Sequence, residues 1–283
     1  MKNEILRRLS ALALGLALLL NAPPLPQAFA VEDDTDASSS DSADSTDTTD
    51  KTVVTTADSD PTVTAAAANA PALDATAALL VSPESDMVLY EKNADEKRYP
   101  ASTTKIMTAL LTLENVSDLS AVVTAEASDF ENVTADSSNA GIKLGEQVTV
   151  KDLLYALMLP SANEAAYMLA RHVSGSWEQF VDMMNERAAE LGCTGTHFCN
   201  PCGLHEDDHY TTAHDLYRIA KQAMKDATFR DIVSTVQHRM AKTNLHEERI
   251  ILTTNQLIFS SFQPWSYANC LGIKTGHTSQ AGN

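Results

Sequence analysis

The hydrophobic pattern divides the chain into three unequal parts. Behind Met1-Lys2 and Arg7-Arg8 lies an apolar run over residues 9–20, then a Pro-rich stretch closing on Ala28-Phe29-Ala30. Residues 31–70 show no hydrophobic period: they are Asp, Ser, Thr and Ala, with no aromatic residue and one lysine, Lys51. Regular patterns begin near Leu73. Apolar runs at 77–81 and 87–90 flank Ser82-Pro-Glu-Ser-Asp86, which predicts a β-hairpin. Helical spacing then takes over. Residues 103–114 place Ile106, Met107, Leu110, Leu111 and Leu113 on one stripe. Thr149-Val-Lys-Asp152 opens a second helix in the manner of a capping box, and Pro160 stops it. An Ala-rich helix follows over about 163–172. Ser176-Trp-Glu-Gln179 caps another, with Phe180, Met183, Met184 and Leu191 inward and Gly192 just past its end. Thr212-Ala-His-Asp215 caps one more. Near the end, Cys270-Leu-Gly-Ile-Lys-Thr275 has the composition of a strand bounded by Gly276. Strands at both ends of a helical middle predict an α+β domain whose terminal strands pair in one antiparallel sheet.

The remaining composition refines this division. Of 283 residues 44% are hydrophobic, enough for a sizeable core. The N-terminus combines a basic start, a short apolar stretch and an Ala-x-Ala end, so residues 1–30 read as a secretory signal peptide cut after Ala30. The apolar run is short for a membrane span, and an uncleaved anchor is the alternative. Residues 31–72 cannot bury enough apolar surface to offset their ordering entropy and read as a disordered acidic linker, leaving 73–283 as the folded domain. That linker holds a large share of the net charge of −18. The acidity thus describes a tether and argues against a nucleic-acid partner, which wants a basic face. The four cysteines are Cys193, Cys199, Cys202 and Cys270. Cys199-Asn-Pro-Cys202 has C-x-x-C spacing but no companion pair at zinc spacing, so no metal and no cofactor is expected. Free buried thiols are the simpler reading, with a disulfide open to an exported chain.

Three short motifs carry the chemistry: Ser102-Thr-Thr-Lys105, Ser161-Ala-Asn163 and Lys274-Thr-Gly276. Ser102 precedes the first apolar stripe and so falls at or near a helix N-terminus, where free N–H groups favour an oxyanion. Lys105, three residues on, can fold back toward the Ser102 hydroxyl, and a buried lysine near another cation loses enough basicity to serve as its base. Read alone, the pair is more simply an N-cap serine with a surface lysine. Ser161 and Asn163 follow Pro160 on a tight connection between helices. Ser137-Ser-Asn139 also fits S-x-N, but in a polar stretch with no packing to fix it. Lys274 and Thr275 can hold a carboxylate, with Gly276 admitting a ligand backbone. His197, His205, His209 and His214 lack H-E-x-x-H spacing and read as surface residues or residues one layer behind a site.

Together the motifs resemble the penicillin-binding protein and serine β-lactamase superfamily, whose signature is S-x-x-K, S-D-N and K-T-G. Within it the chain is most similar to the low-molecular-mass D-alanyl-D-alanine carboxypeptidases, peptidase S11. The carrying stretches are Tyr99-Pro-Ala-Ser-Thr-Thr-Lys-Ile-Met-Thr108, Leu159-Pro-Ser-Ala-Asn-Glu-Ala-Ala166, Gly192-Cys-Thr-Gly-Thr-His-Phe-Cys-Asn-Pro-Cys-Gly-Leu204 and Gly272-Ile-Lys-Thr-Gly-His-Thr278. The resemblance implies a β-lactamase/transpeptidase-like fold, an antiparallel sheet with a helical subdomain. Ser102 would be the acylated nucleophile, Lys105 its base and Ser161 the proton relay to the leaving D-alanine. Asn163 would hold the substrate amide, Lys274, Thr275 and Gly276 the terminal carboxylate, and the N–H groups of Ser102 and His277 the oxyanion.

The implied substrates are peptidoglycan stem peptides, with β-lactam antibiotics as inhibitors, on the cell-wall side of a bacterial membrane. A β-lactamase, a DD-endopeptidase and a non-catalytic cell-wall-binding module are the alternatives; no clear E-x-x-L-N segment lies between Asn163 and Lys274 to support the first. Glu164 stands where aspartate is frequent in relatives, and Cys202 where a polar residue or histidine is common. Relatives continue past the position of Asn283 with further strands, a basic residue at the carboxylate pocket and a closing helix. The resemblance thus implies that the C-terminal strands and helix are missing, and that membrane association would need them or an uncleaved signal.

Overall fold

The computed structural model describes residue 70 and residues 72–134, 137–259 and 266–282. The expected signal peptide lies outside the described residues, as does the expected linker apart from residues 70 and 72. The hairpin forms as its pattern predicts. Strand β1 (Ala78–Ser82) pairs antiparallel with β2 (Met87–Lys92), with one irregularity between Leu80 and Val81. A 3-10 turn, Ala101–Thr104, runs directly into α1 (Lys105–Asn115). Two short strands, β3 (Val122–Thr124) and β4 (Gln147–Thr149), pair across the intervening loop. Helices α2 (Val150–Met158), α3 (Asn163–Ser174), α4 (Trp177–Glu190), α5 (Ala213–Ala223) and α6 (Ala227–Val233) follow, then a hairpin of β5 (Gln237–Met240) and β6 (Arg249–Leu252).

The helix starts are set by local chemistry. Thr149, Ser176 and Thr212 each accept a hydrogen bond from the backbone N–H three residues on, at 3.1, 3.2 and 3.1 Å. A cap of this kind is worth about 1 kcal/mol, because it satisfies a donor the helix leaves orphaned. Helix α3 is different: every residue from Asn163 to Ala170 is buried. Its small side chains, Ala165, Ala166 and Ala170, let α1 and α2 approach closely, and the core closes around Met107, Leu154, Leu157 and Met168. Two polar residues that open this core helix, Asn163 and Glu164, are therefore placed by apolar packing behind them.

The α+β class is as expected, but among the described residues no sheet joins the two ends of the domain. The described strands make three separate two-stranded sheets, and the segment 270–275 carries no strand. A strand exists through its partner's ladder, and no described strand offers one to this segment. Strands β3 and β4 are too short to show a period, and Gln-His-Arg-Met of β5 has no strand composition. Among the described residues no helix is long and apolar enough to cross a membrane. All four cysteines are free, with Cys193 and Cys202 buried.

Candidate active site

Lys105 is the centre of the site. It is fully buried at the first turn of α1, yet its ammonium reaches three oxygens: Asn163 Oδ1 at 2.7 Å, the Cys202 carbonyl at 2.6 Å and Ser102 Oγ at 3.2 Å. Burial lowers its pKa to about 8, with Cys202 and Glu164 opposing. The geometry has a chemical consequence. A neutral amine keeps two N–H bonds and one lone pair. The Asn163 and Cys202 oxygens can only accept, so they take the two N–H groups, and the lone pair is left for the Ser102 hydroxyl. Asn163 in turn has its oxygen committed inward, which leaves its Nδ2 donor for a ligand carbonyl.

The turn carrying Ser102 is under strain. Ala101 has φ +47°, a left-handed conformation that costs a non-glycine residue about 1–3 kcal/mol. What fits against it is Gly203, at φ +87°: a Cβ there would lie 1.8 Å from the Ala101 carbonyl oxygen and 3.0 Å from the Ser102 nitrogen. Asn200 locks the loop that delivers Gly203. Its Oδ1 accepts the N–H groups of Gly203 and Leu204 at 2.7 and 3.1 Å, and its Nδ2 donates to Glu206 at 3.0 Å. Behind the turn, buried His209 accepts the Cys199 N–H on Nδ1 at 3.1 Å, so its Nε2–H donates to Thr104 Oγ1 at 2.8 Å. Burial, with nearby His197, His205 and Lys105, pushes His209 down to about 4 and keeps it neutral.

The second motif is also strained. Ser161 has φ +68°, is 4% exposed, and its Oγ is buried without a hydrogen-bond partner among the described residues. The stretch with the duplicate S-x-N pattern, expected to lack fixing contacts, is in fact pinned to α3: the Asn163 N–H donates to the Ser138 carbonyl at 2.9 Å. Glu164 Oε1 accepts from the Ala140 N–H at 2.7 Å and the Ile142 N–H at 3.4 Å.

The third motif is reached differently from expectation. A Cβ on Gly276 would lie 3.0 Å from the Pro100 carbonyl and 3.2 Å from the Thr103 nitrogen, so its bareness admits the nucleophile's own turn. Lys274 Nζ donates to the Thr275 carbonyl at 2.8 Å, and Thr275 Oγ1 pairs with Thr254 Oγ1 at 2.6 Å. Desolvation, then the charge of Lys105, lowers the partly buried Lys274 to about 7. Next to these elements is a cavity of about 440 Å³. Ser102, Asn163 and His277 line it, as do Ser137 and Ser138, Gly203 and His205. Lys105 and Ser161, both buried, are not among its lining residues, nor are Lys274, Thr275 and Gly276.

Residues 64–283 match the sequence pattern of peptidase S11, the D-alanyl-D-alanine carboxypeptidases. The chain belongs to this family. It is 35% identical over 209 residues to a D-alanyl-D-alanine carboxypeptidase of Bacillus subtilis, covering 74% of this chain and 52% of that protein. It is 38% identical over 206 residues to a D-alanyl-D-alanine carboxypeptidase of Streptomyces sp. K15, covering 68% of each. Its fold resembles the crystal structure of the Streptomyces K15 DD-transpeptidase, with a TM-score of 0.69 and 35% identity over 75% of this chain and 83% of that one. The chain thus spans about half the length of the Bacillus relative and about two thirds of the Streptomyces one.

For a D-alanyl-D-alanine carboxypeptidase family member, sequence reasoning found the three motifs but missed what holds them. It flagged Cys202 for its thiol, whereas the contact that counts is its carbonyl on Lys105. Asn200 and Gly203 lie in the 192–204 stretch, where the turn-forming string Asn-Pro-Cys-Gly is the local signal of their role.

Proposed function

We propose that this chain is a serine-type D-Ala-D-Ala carboxypeptidase that removes the terminal D-alanine from peptidoglycan stem peptides through an acyl-enzyme on Ser102. The observation that carries this reading is the Lys105 amine, held by Asn163 Oδ1 and the Cys202 carbonyl so that its third direction meets the Ser102 hydroxyl at 3.2 Å. Lys105 takes the Ser102 proton as Oγ bonds to the penultimate D-alanine carbonyl carbon. The bond from that carbon to the terminal D-alanine nitrogen then breaks, and that nitrogen receives a proton by way of the unpartnered Ser161 hydroxyl. Asn163 Nδ2 holds the acyl amide, and the N–H groups of Ser102 and His277 hold the oxyanion; one such donor is worth about 3 kcal/mol in the transition state. Lys274 and Thr275, beside Gly276, give up their present intramolecular partners to the substrate carboxylate. Water then cleaves the ester. A β-lactam presents the same carbonyl and carboxylate and acylates the same oxygen. The N-terminal pattern supports export by residues 1–30 and a tethering linker over 31–72, which places the domain on the cell-wall side.

A fluorescent penicillin followed by peptide mass spectrometry tests the reading, alongside D-alanine release from a pentapeptide. A stable adduct on Ser102 with D-alanine release is expected. Rapid turnover of the adduct would make the chain a β-lactamase, and no adduct a binding module. Cleavage of cross-linked dimers without D-alanine release would make it an endopeptidase.

A further inference from the structure

Glu164 is a buried carboxyl that the proposed chemistry leaves unused. It is 1% exposed and follows Asn163 in sequence. Its Oε1 accepts the Ala140 and Ile142 N–H groups, while Oε2 is buried without a hydrogen-bond partner among the described residues. Clamping the loop needs one acceptor, which the amide of a glutamine also has. A carboxylate instead leaves a second oxygen buried without a hydrogen-bond partner among the described residues, a costly choice for a merely structural residue. The groups acting on Glu164 are few. The segment 137–142 offers backbone N–H groups, α3 the Glu164 N–H, and α1 a cation, Lys105. Desolvation raises the Glu164 pKa against all of these. The same segment contributes Ser137 and Ser138 to the cavity wall, and the Ser138 carbonyl is fixed by the Asn163 N–H.

We propose that Glu164 is a positioning residue for acylation: it clamps the 137–142 wall of the cavity onto the start of α3, and from behind Asn163 it supplies the negative charge that Lys105 feels. This rests on Lys105 being the base for Ser102. The two duties separate by substitution. Glu164→Gln keeps an acceptor for Ala140 and removes the charge. Glu164→Ala removes both.

The test measures benzylpenicillin acylation against pH, and KM and kcat for a D-Ala-D-Ala-terminated peptide, on the full chain. When ionised, Glu164 favours the ammonium form of Lys105, so its loss is expected to make Lys105 less basic. In Glu164→Gln the acid limb of the acylation profile is expected to move to lower pH by about half a unit or more, with KM within about twofold of wild type. In Glu164→Ala the limb moves likewise and KM rises about tenfold, as a freed wall loses substrate contacts. An acid limb in Glu164→Gln that superimposes on wild type overturns the proposal, whatever Glu164→Ala does to folding, while leaving Ser102 acylation and the function intact. Wild-type protein that penicillin fails to label removes the functional reading itself.

Discussion

The two halves of the site are built in opposite ways. The half that would move protons, Ser102 with Lys105, Ser161 and Asn163, rests on core helices, and each of its side chains is locked or buried. The half that would hold the carboxylate, Lys274 with Thr275, lies on a segment without a ladder, and Lys274 donates to the carbonyl of the very next residue. Precision is spent where a lone pair must point at one hydroxyl. A carboxylate needs only a cation and a donor within reach, and a segment outside any described strand supplies that. Damage to the first half should therefore appear in the acylation rate, and damage to the second in substrate binding.

The largest expected effect is at the nucleophile. Ser102→Ala should abolish covalent penicillin labelling, because Ser102 carries the one hydroxyl hydrogen-bonded to Lys105 Nζ among the described residues. Unchanged labelling would move the nucleophile elsewhere and dissolve the comparison. Next comes the base. Lys105→Arg keeps the charge but cannot deprotonate near neutral pH, so acylation should fall about 100- to 10,000-fold. A loss smaller than tenfold would mean that Lys105 contributes only charge.

Gly203→Ala probes the scaffold rather than the chemistry. A methyl group 1.8 Å from the Ala101 carbonyl must displace the nucleophile turn. Acylation should drop by at least about 100-fold even if the protein folds, since small misplacements are this costly. Acylation near the wild-type rate would show that the turn is not held by this contact.

These residues also show where the sequence was readable. Caps at Thr149, Ser176 and Thr212 are local, because donor and acceptor lie three residues apart. Ser102 and Lys105 were readable for the same reason, as one turn of chain joins them. What stayed hidden depends on distant partners. Nothing near Ser138 announces that its carbonyl meets Asn163, and nothing near Gly203 announces Ala101. The 270–275 segment failed in the reverse direction. Its composition suits a strand, but composition supplies only one side of a ladder. Its glycine, expected as a point of close approach, also lies against the Pro100–Thr103 turn, a distant partner that local sequence does not announce.

The smallest effect sharpens the contrast most. Proton abstraction requires Lys105 neutral, so that function is gained as pH rises through about 8. Carboxylate binding is stronger with Lys274 charged, so it weakens as pH rises through about 7. The two requirements oppose each other, and kcat/KM should be bell-shaped with its maximum between about 7 and 8. The alkaline limb should belong to the carboxylate-holding half alone. Lys274→Gln should flatten that limb and raise KM about tenfold, with kcat changing about threefold or less, because a neutral amide still donates to a carboxylate. If Lys274→Gln instead lowers kcat as far as Lys105→Arg does, Lys274 takes part in proton transfer, and the division between a precise half and a tolerant half fails.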